Sequence, residues 1–271
     1  MGLVGAGRRH MTAHGTPAFA PVLDQVAARI SGTEPCWRTD PTRWAYCLRE
    51  AVALVRPDWV VTHFDPRAEA DAVTGSVTSA AQVIDVDLAL TPILSAALEL
   101  TTVLARLYPA QPVAASLSGP GVLTKALAQA FSTPKSELPD LLADVGDLLG
   151  VLVGHYVAAG ADRILVWESS EPGVCEERVE ELSDAHSPML RRLETAGVPA
   201  VLCGAENFAG LGYPQHASPG RGLAAAADFA TVPFDRLWPT LTVGHGGPIL
   251  SDGPIPGDAD LSLLAAAAHR R

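Results

Sequence analysis

One stretch, Gly160-Ala161-Asp162-Arg163-Ile164-Leu165-Val166-Trp167-Glu168-Ser169-Ser170-Glu171-Pro172-Gly173, constrains the fold of this chain more than any other. Gly160 is free to take the left-handed conformation that closes a helix. The apolar residues Ile164 to Trp167 then read as a strand buried on both faces. Glu168, Ser169 and Ser170 leave that strand at its C-terminal end, where α/β folds carry their chemistry. The stretch is therefore one βα unit with a polar strand end, and the rest of the chain is read for repeats of it.

Helical patterns separate further strand slots. The slots fall at 18–23, 59–62, 112–117, 164–167, 198–203, 229–232, 240–243 and 248–250. Pro21 lies inside the first slot and weakens it as a central strand. Helices are expected over 25–30, ending at Gly32, over 41–54 with Asp40 as cap and Pro41 in the first turn, and over 91–107. Others are expected over 141–159, over 178–196 with an interruption at Pro188, and over 261–269. Eight slots of this kind predict an α/β fold, a TIM (β/α)8 barrel. The last slots lie too close for full crossover helices, since a parallel connection takes a dozen residues or more. The helices after strands six and seven are thus expected to be shortened or missing. There is no linker, repeat or low-complexity tract, so residues 1–271 are expected to form one domain.

Composition narrows the function classes. The net charge of −11 leaves no basic stripe to neutralise nucleic-acid phosphates and disfavours an anionic membrane surface. Apolar residues make up 48% but aromatics only 6%, so the core must pack small side chains. The four cysteines, Cys36, Cys47, Cys175 and Cys203, form no C-x-x-C pair and read as reduced thiols. The start MGLVGAGRRHMTAHG lacks the apolar core of a signal peptide, and apolar runs are broken before membrane-spanning length. A cytoplasmic protein is expected. The abundance of Ala, Arg and Gly is what a GC-rich bacterial genome produces.

Four segments carry a family resemblance. They are Asp58 to Asp65 (DWVVTHFD), Pro112 to Leu127 (PVAASLSGPGVLTKAL), Tyr156 to Gly173 (YVAAGADRILVWESSEPG) and Ile249 to Ala265 (ILSDGPIPGDADLSLLA). In this order they resemble the uroporphyrinogen decarboxylase superfamily, which also holds zinc-dependent methyl and alkyl transferases and shares its barrel with cobalamin-independent methionine synthase. The resemblance implies that Asp65 occupies the place of the aspartate that holds substrate pyrrole nitrogens, and that Ser169 contacts a substrate carboxylate. It also shows departures. Ala126 stands where the decarboxylases keep a tyrosine, and Asp252 where they keep a histidine. Only Arg8 and Arg9 lie near the place of the N-terminal arginine motif, so a substrate with eight carboxylates would lack its clamps. The transferases bind zinc through a His-x-Cys pair after the fifth strand and a closing-loop cysteine. Here the fifth slot ends Cys203-Gly204-Ala205-Glu206-Asn207 and the closing loop has no cysteine. A rearranged zinc site would have to use Cys203, Glu206 and His245; otherwise no cofactor is expected.

Other candidates come from strand ends. His63 lies two residues before Asp65, so strand alternation puts both on one side, where the carboxylate would raise the imidazole's proton affinity. Glu168 and Ser169 must point to opposite faces. Glu206 in an apolar mouth would hold its proton longer and could deliver it. Asn207 neighbours it. His245, within Gly244-His245-Gly246-Gly247, sits where a backbone can approach a ligand closely, and Gly246 offers an N–H group. Asp252 follows the last slot. Against these stand plain structural roles: Asp65 as a turn cap, His63 as a buried histidine, Cys203 as a small hydrophobe.

The leading expectation is a metal-independent acid/base C–C lyase of decarboxylase type, acting on a small carboxylate or nitrogen heterocycle. In it Asp65 steadies a protonated ring nitrogen and Glu206 or His245 delivers the proton, with His63, Ser169, Gly246, Asn207 and Asp252 binding substrate. The alternatives are a thiol- or corrinoid-linked methyl or alkyl transferase, and a non-catalytic scaffold subunit. A barrel wall bared by lost helices would be covered by a homo-oligomer.

Overall fold

The computed structural model describes residues 17–168, 179–204, 210–242 and 247–269. Eight parallel strands form a nearly closed α/β barrel in the order β1-β8-β7-β6-β5-β4-β3-β2. They are β1 (Phe19–Val22), β2 (Val60–Val61), β3 (Val113–Ser118), β4 (Arg163–Trp167), β5 (Ala200–Cys203), β6 (Gln215–Pro219), β7 (Gly222–Ala224) and β8 (Ile249–Pro254). Around them lie α1 (Asp24–Ser31), α2 (Pro41–Val55), α3 (Ala68–Thr74), α4 (Pro92–Leu107), α5 (Pro120–Phe131), α6 (Leu138–Ala158), α7 (Val179–Ala196), α8 (Asp228–Thr231), α9 (Phe234–Thr242) and α10 (Leu261–Ala265).

Period-two alternation divides each strand between two apolar layers. On β3, Val113, Ala115 and Leu117 point out to the helices, while Ala114 points into the lumen. The lumen is filled by small and medium side chains, among them Ala20, Val61, Leu165, Val201 and Cys203. This is the layered packing of a barrel core rather than a pore. It also explains why so few aromatics suffice.

Local chemistry accounts for the irregular strands. Pro21 offers no N–H to the β8 ladder, and the β1–β8 register slips between Ala20 and Val22. The Val22 N–H donates instead to the Ser251 hydroxyl at 2.9 Å. Between β1 and β2 no ladder forms, and Asp58 supplies the seam. Its N–H donates to the Phe19 carbonyl at 2.7 Å, and its carboxylate accepts the Phe19 N–H at 2.8 Å.

The sixth and seventh strand slots read from the sequence, 229–232 and 240–243, are corrected by the structure. Residues 229–231 belong to α8 and 240–242 to α9. Phe234, Leu237, Trp238 and Leu241 recur at helical spacing, and Phe229, Phe234 and Trp238 pack on Phe19 from outside the barrel, with ring centroids 5.2–5.8 Å from it. The true sixth and seventh strands are 215–219 and 222–224. They run parallel although only Gly220 and Arg221 separate them. The chain coils through one tight turn, closed by the Arg221 N–H to the Ser218 carbonyl at 2.8 Å and the Ser218 N–H to the Arg221 carbonyl at 2.9 Å. Gly220 and Gly222 take positive φ of 76° and 84° there, which side chains resist. The crossover helix after β6 is therefore missing, and those after β7 are short, as the crowded slots implied.

Among the described residues one helix, Lys135–Ala158, is long and apolar enough to cross a membrane. In the fold it is a packed element, with 56% of its apolar window buried, much of it against α7. Trp44 is likewise core, fully buried on α2, whereas Tyr46 is exposed with Arg49 over its ring.

Candidate active site at the barrel mouth

The C-terminal ends of β1, β2 and β3 bring together a set of polar side chains. After β1 the chain enters α1 at Asp24, which is 5% exposed. One carboxylate oxygen accepts the Phe64 N–H at 3.0 Å; the other has no partner. The Trp44 indole nitrogen lies beside the same carboxylate without completing a hydrogen bond. Burial lifts the Asp24 pKa to about 7, opposed by the Phe64 N–H and Trp44 and assisted by Asp65.

β2 is followed by Thr62, His63, Phe64 and Asp65. His63 is 1% exposed and lies against the Trp37 ring, with centroids 4.5 Å apart. Its Nδ1 shares a hydrogen bond of 2.9 Å with the Thr62 hydroxyl. The Asp65 charge raises the proton affinity of His63, although the strand ends at Val61 and alternation does not reach either residue. Burial outweighs it, and with Arg38 lowers the pKa to about 4, so the imidazole is neutral at pH 7.

Asp65 accepts from Arg38 twice, at 2.9 Å from Nε and 2.6 Å from Nη2. Its other oxygen accepts the Arg67 N–H at 3.1 Å. Arg38 also donates to Asp71 through Nη1 and Nη2, both at 3.0 Å, and lies over the Trp37 ring. Asp65 is thus both a turn residue leading into α3 and one arm of a three-membered ion cluster.

Glu69, in the first turn of α3, is fully buried, and neither carboxylate oxygen completes a hydrogen bond. Burial lifts its pKa to about 7, against the pull of its own N–H and of Ser118, the last residue of β3. Asp65 pushes it further up. The Tyr156 hydroxyl on α6 is also buried without a partner, and the Glu69 charge acts on it. Two carboxylates that titrate near neutrality therefore flank the His63–Asp65–Arg38 cluster.

Phe64 lies across the lumen. It meets Trp167 of β4 edge to face at 4.9 Å, and a Cβ built on Gly253 of β8 would sit 3.9 Å from its ring. Trp167 donates its indole N–H to Ser116 at 2.8 Å inside the barrel. Asp252 is exposed at the same barrel end, where its carboxylate accepts the Ala226 N–H at 2.7 Å and holds the loop after β7.

Glu168 and Cys203 are buried. The Glu168 carboxylate accepts N–H groups of Gly121 at 2.8 Å and Val122 at 3.2 Å at the start of α5, and lies 3.1 Å from His186 Nε2. His186 Nδ1 lies 2.7 Å from the Tyr213 hydroxyl. With the proton assigned to Nε2, the ring donates to Glu168 and accepts from Tyr213. Glu168 thus faces the helices and ties four segments together. Cys203 lines the lumen, and burial alone pushes its thiol pKa far up. Its Sγ lies 3.8 Å from the Val201 carbonyl.

Of the residues proposed from sequence, Asp65, His63, Asp252 and Cys203 are at this end of the barrel. Ser169, Glu206, Asn207, His245 and Gly246 lie outside the described residues. Sequence reasoning missed Asp24, Glu69 and Arg38. Asp24 carried a signal, since it directly follows the first strand slot. Glu69 carried none, because its burial is produced by helices distant in the chain. Among the described residues no three His, Cys, Asp or Glu side chains are grouped to hold a metal.

Comparison with known proteins supports the architecture. The sequence matches no known family description and no curated protein. A solved methyltransferase from Methanosarcina mazei is similar over 95% of this chain and 93% of that one, with a TM-score of 0.71 and 13% identity. At that identity the likeness speaks for the fold alone.

Proposed function

We propose that this chain is an enzyme working at the C-terminal mouth on the β1–β3 side, and that it transfers a methyl or other alkyl group to a small acceptor. The observation that carries the site is Glu69, a buried carboxylate without hydrogen-bond partners whose pKa stands near 7. Such a group exchanges protons at neutral pH, as general acids and bases must. Alkyl transfer is carried over as the leading chemistry from the methyltransferase whose fold this chain shares over nearly its whole length. In this scheme the carbon leaves its donor, which keeps the bonding electron pair, and bonds to an acceptor X–H. The Glu69 carboxylate takes the acceptor's proton. Asp24 serves as the second proton carrier. His63, held neutral, and the Trp37 and Phe64 rings give the acceptor a dry wall. Asp65 positions Arg38 over Trp37 rather than meeting substrate itself.

Zinc is implied by the transferase resemblance. Of the three ligands it would need here, Cys203 alone is described, and it lies buried in the lumen with burial holding its thiol protonated. The other two, Glu206 and His245, lie outside the described residues, so no step is derived through a metal.

A decarboxylase-type lyase remains a second reading, because the same pair of near-neutral carboxylates would deliver a proton to carbon. Product analysis separates them. The protein is incubated with a panel of S-, N- and O-methyl compounds and a small thiol acceptor, and products are read by mass spectrometry. The transfer reading expects a methylated thiol, its rate rising through pH about 7 and falling about 100-fold or more in Glu69→Gln with the fold retained. Release of carbon dioxide from carboxylate substrates, with no methylated product, would establish the lyase instead.

A further inference from the structure

On the outer wall a groove runs between residues 84–89 and the middle of α6. Its floor is apolar, including Ile84, Leu88, Val151 and Leu152, and its volume is about 280 Å³. Apolar side chains stand out beside it: Ile84 and Val151 are 47% exposed and Leu90, next in the chain to the groove, is 80% exposed. Single exposed apolar residues are ordinary, but a contiguous group around a groove marks a contact surface. Its volume falls below the range of whole small-molecule sites, roughly 300–1,000 Å³, and suits one or two anchoring side chains.

The rim is acidic. Asp85, Asp87 and Asp147 line the groove, with His155 the other titratable side chain in its lining. Along the outward stripe of α6, Asp140, Asp144, Asp147 and Val151 follow one another at helical spacing. The charges acting on Asp144 are all carboxylates, Asp140, Asp147 and Asp85, and with burial they raise its pKa. Among the described residues none of these aspartates pairs with Lys or Arg. Three occupants are thereby ordered. An anionic lipid surface is repelled. A second copy meeting this face symmetrically would set rim against rim. A segment carrying apolar side chains beside basic ones satisfies both the floor and the rim.

We propose that this groove docks a basic amphipathic helix of a partner protein, one apolar side chain seated between Ile84 and Val151 and Lys or Arg side chains on Asp85, Asp87 and Asp147. The probe is a fluorescent amphipathic helical peptide of Leu and Lys, with a Leu and Glu peptide of equal length as comparison, titrated by anisotropy. Because the chain carries a net charge of −11, Glu194→Lys, an exposed change on α7, controls for general attraction. The expected result is salt-dependent binding of the Leu/Lys peptide alone, weakened tenfold or more by Val151→Glu and by Asp85→Lys with Asp147→Lys, and less than twofold by Glu194→Lys. Equal loss in all three variants, binding of both peptides, or no binding overturns the proposal. So does a dimer in sedimentation that Val151→Glu dissociates, which would assign the face to a second copy.

Discussion

A carboxylate stripped of water without gaining donors keeps its proton to higher pH, and Glu69 is in that position. Its pKa rises from 4.5 to about 7 on folding. The folded state therefore binds the proton more tightly than the unfolded chain. The sign follows: the contribution of this group to stability is full below pH 4.5, falls as pH rises towards 7, and is constant above. The charged form costs the fold on the order of 3 kcal/mol once pH exceeds the folded value. Asp24, raised from 3.8 to about 7, acts in the same direction. Glu69→Gln removes the titration and keeps the shape. Urea unfolding at pH 5 and pH 8 should show the variant gaining on the wild type by roughly 2–3 kcal/mol at the higher pH. A stability difference unchanged between the two pH values would show that Glu69 does not titrate there. A stability gain at pH 8 together with loss of turnover would mark a group kept in a costly environment for its chemistry.

At the scale of elements, the polar lock between β4, α5 and α7 shows how one strand end serves structure rather than substrate. Glu168 lies against the first N–H groups of α5, where the helix favours an anion. A Cβ on Gly119 would fall inside that carboxylate, so Gly119→Ala should displace Glu168 and strand His186 and Tyr213 in the core. A loss of about 2–4 kcal/mol in urea unfolding is expected, the scale of breaking a buried charged network. A loss below about 0.5 kcal/mol would mean that the lock contributes little. The same elements show what the sequence made readable. The fourth strand announced itself because a two-sided apolar run has few other uses. The slots 229–232 and 240–243 misled because Phe229, Thr231 and Val232, and then Thr240, Leu241 and Thr242, look like strand residues in short windows. Only the spacing of Phe234, Leu237, Trp238 and Leu241 reveals the helix. The true β6 and β7 were hidden because β6 is polar at His216 and Ser218 and the pair is joined by a coil of two residues. The site was half readable for a related reason. Asp65 and His63 follow a strand in the chain, but the burial of Glu69 depends on α3 packing against α4 and α5, which no local pattern encodes.

The whole molecule is a ring of seven paired strand interfaces and one seam. Two aspartates at the bottom of the barrel make the contrast testable. Asp58 and Asp162 each precede a strand, donate an N–H to the first residue of the neighbouring strand and accept that residue's N–H in return. For Asp162 the partner is Val113, and β3 and β4 then continue with five registered pairs. For Asp58 the partner is Phe19, and no ladder follows between β1 and β2. The same two bonds therefore carry different loads. Asp58→Ala would remove the carboxylate that accepts the Phe19 N–H and leave the seam resting on the backbone bonds from the Asp58 and Trp59 N–H groups to the Phe19 carbonyl, at 2.7 and 3.4 Å, and Phe19 also anchors the aromatic cluster of α8 and α9. A loss of about 2 kcal/mol, or roughly 4–8 °C in Tm, is expected, with faster amide exchange in β1 and β2. Asp162→Ala should cost about half as much, because the β3–β4 ladder remains. Equal losses in the two variants, with unchanged exchange at the seam, would show that the barrel closes as firmly between β1 and β2 as elsewhere, and that the packing of α8 and α9 on Phe19 holds the ring shut without Asp58.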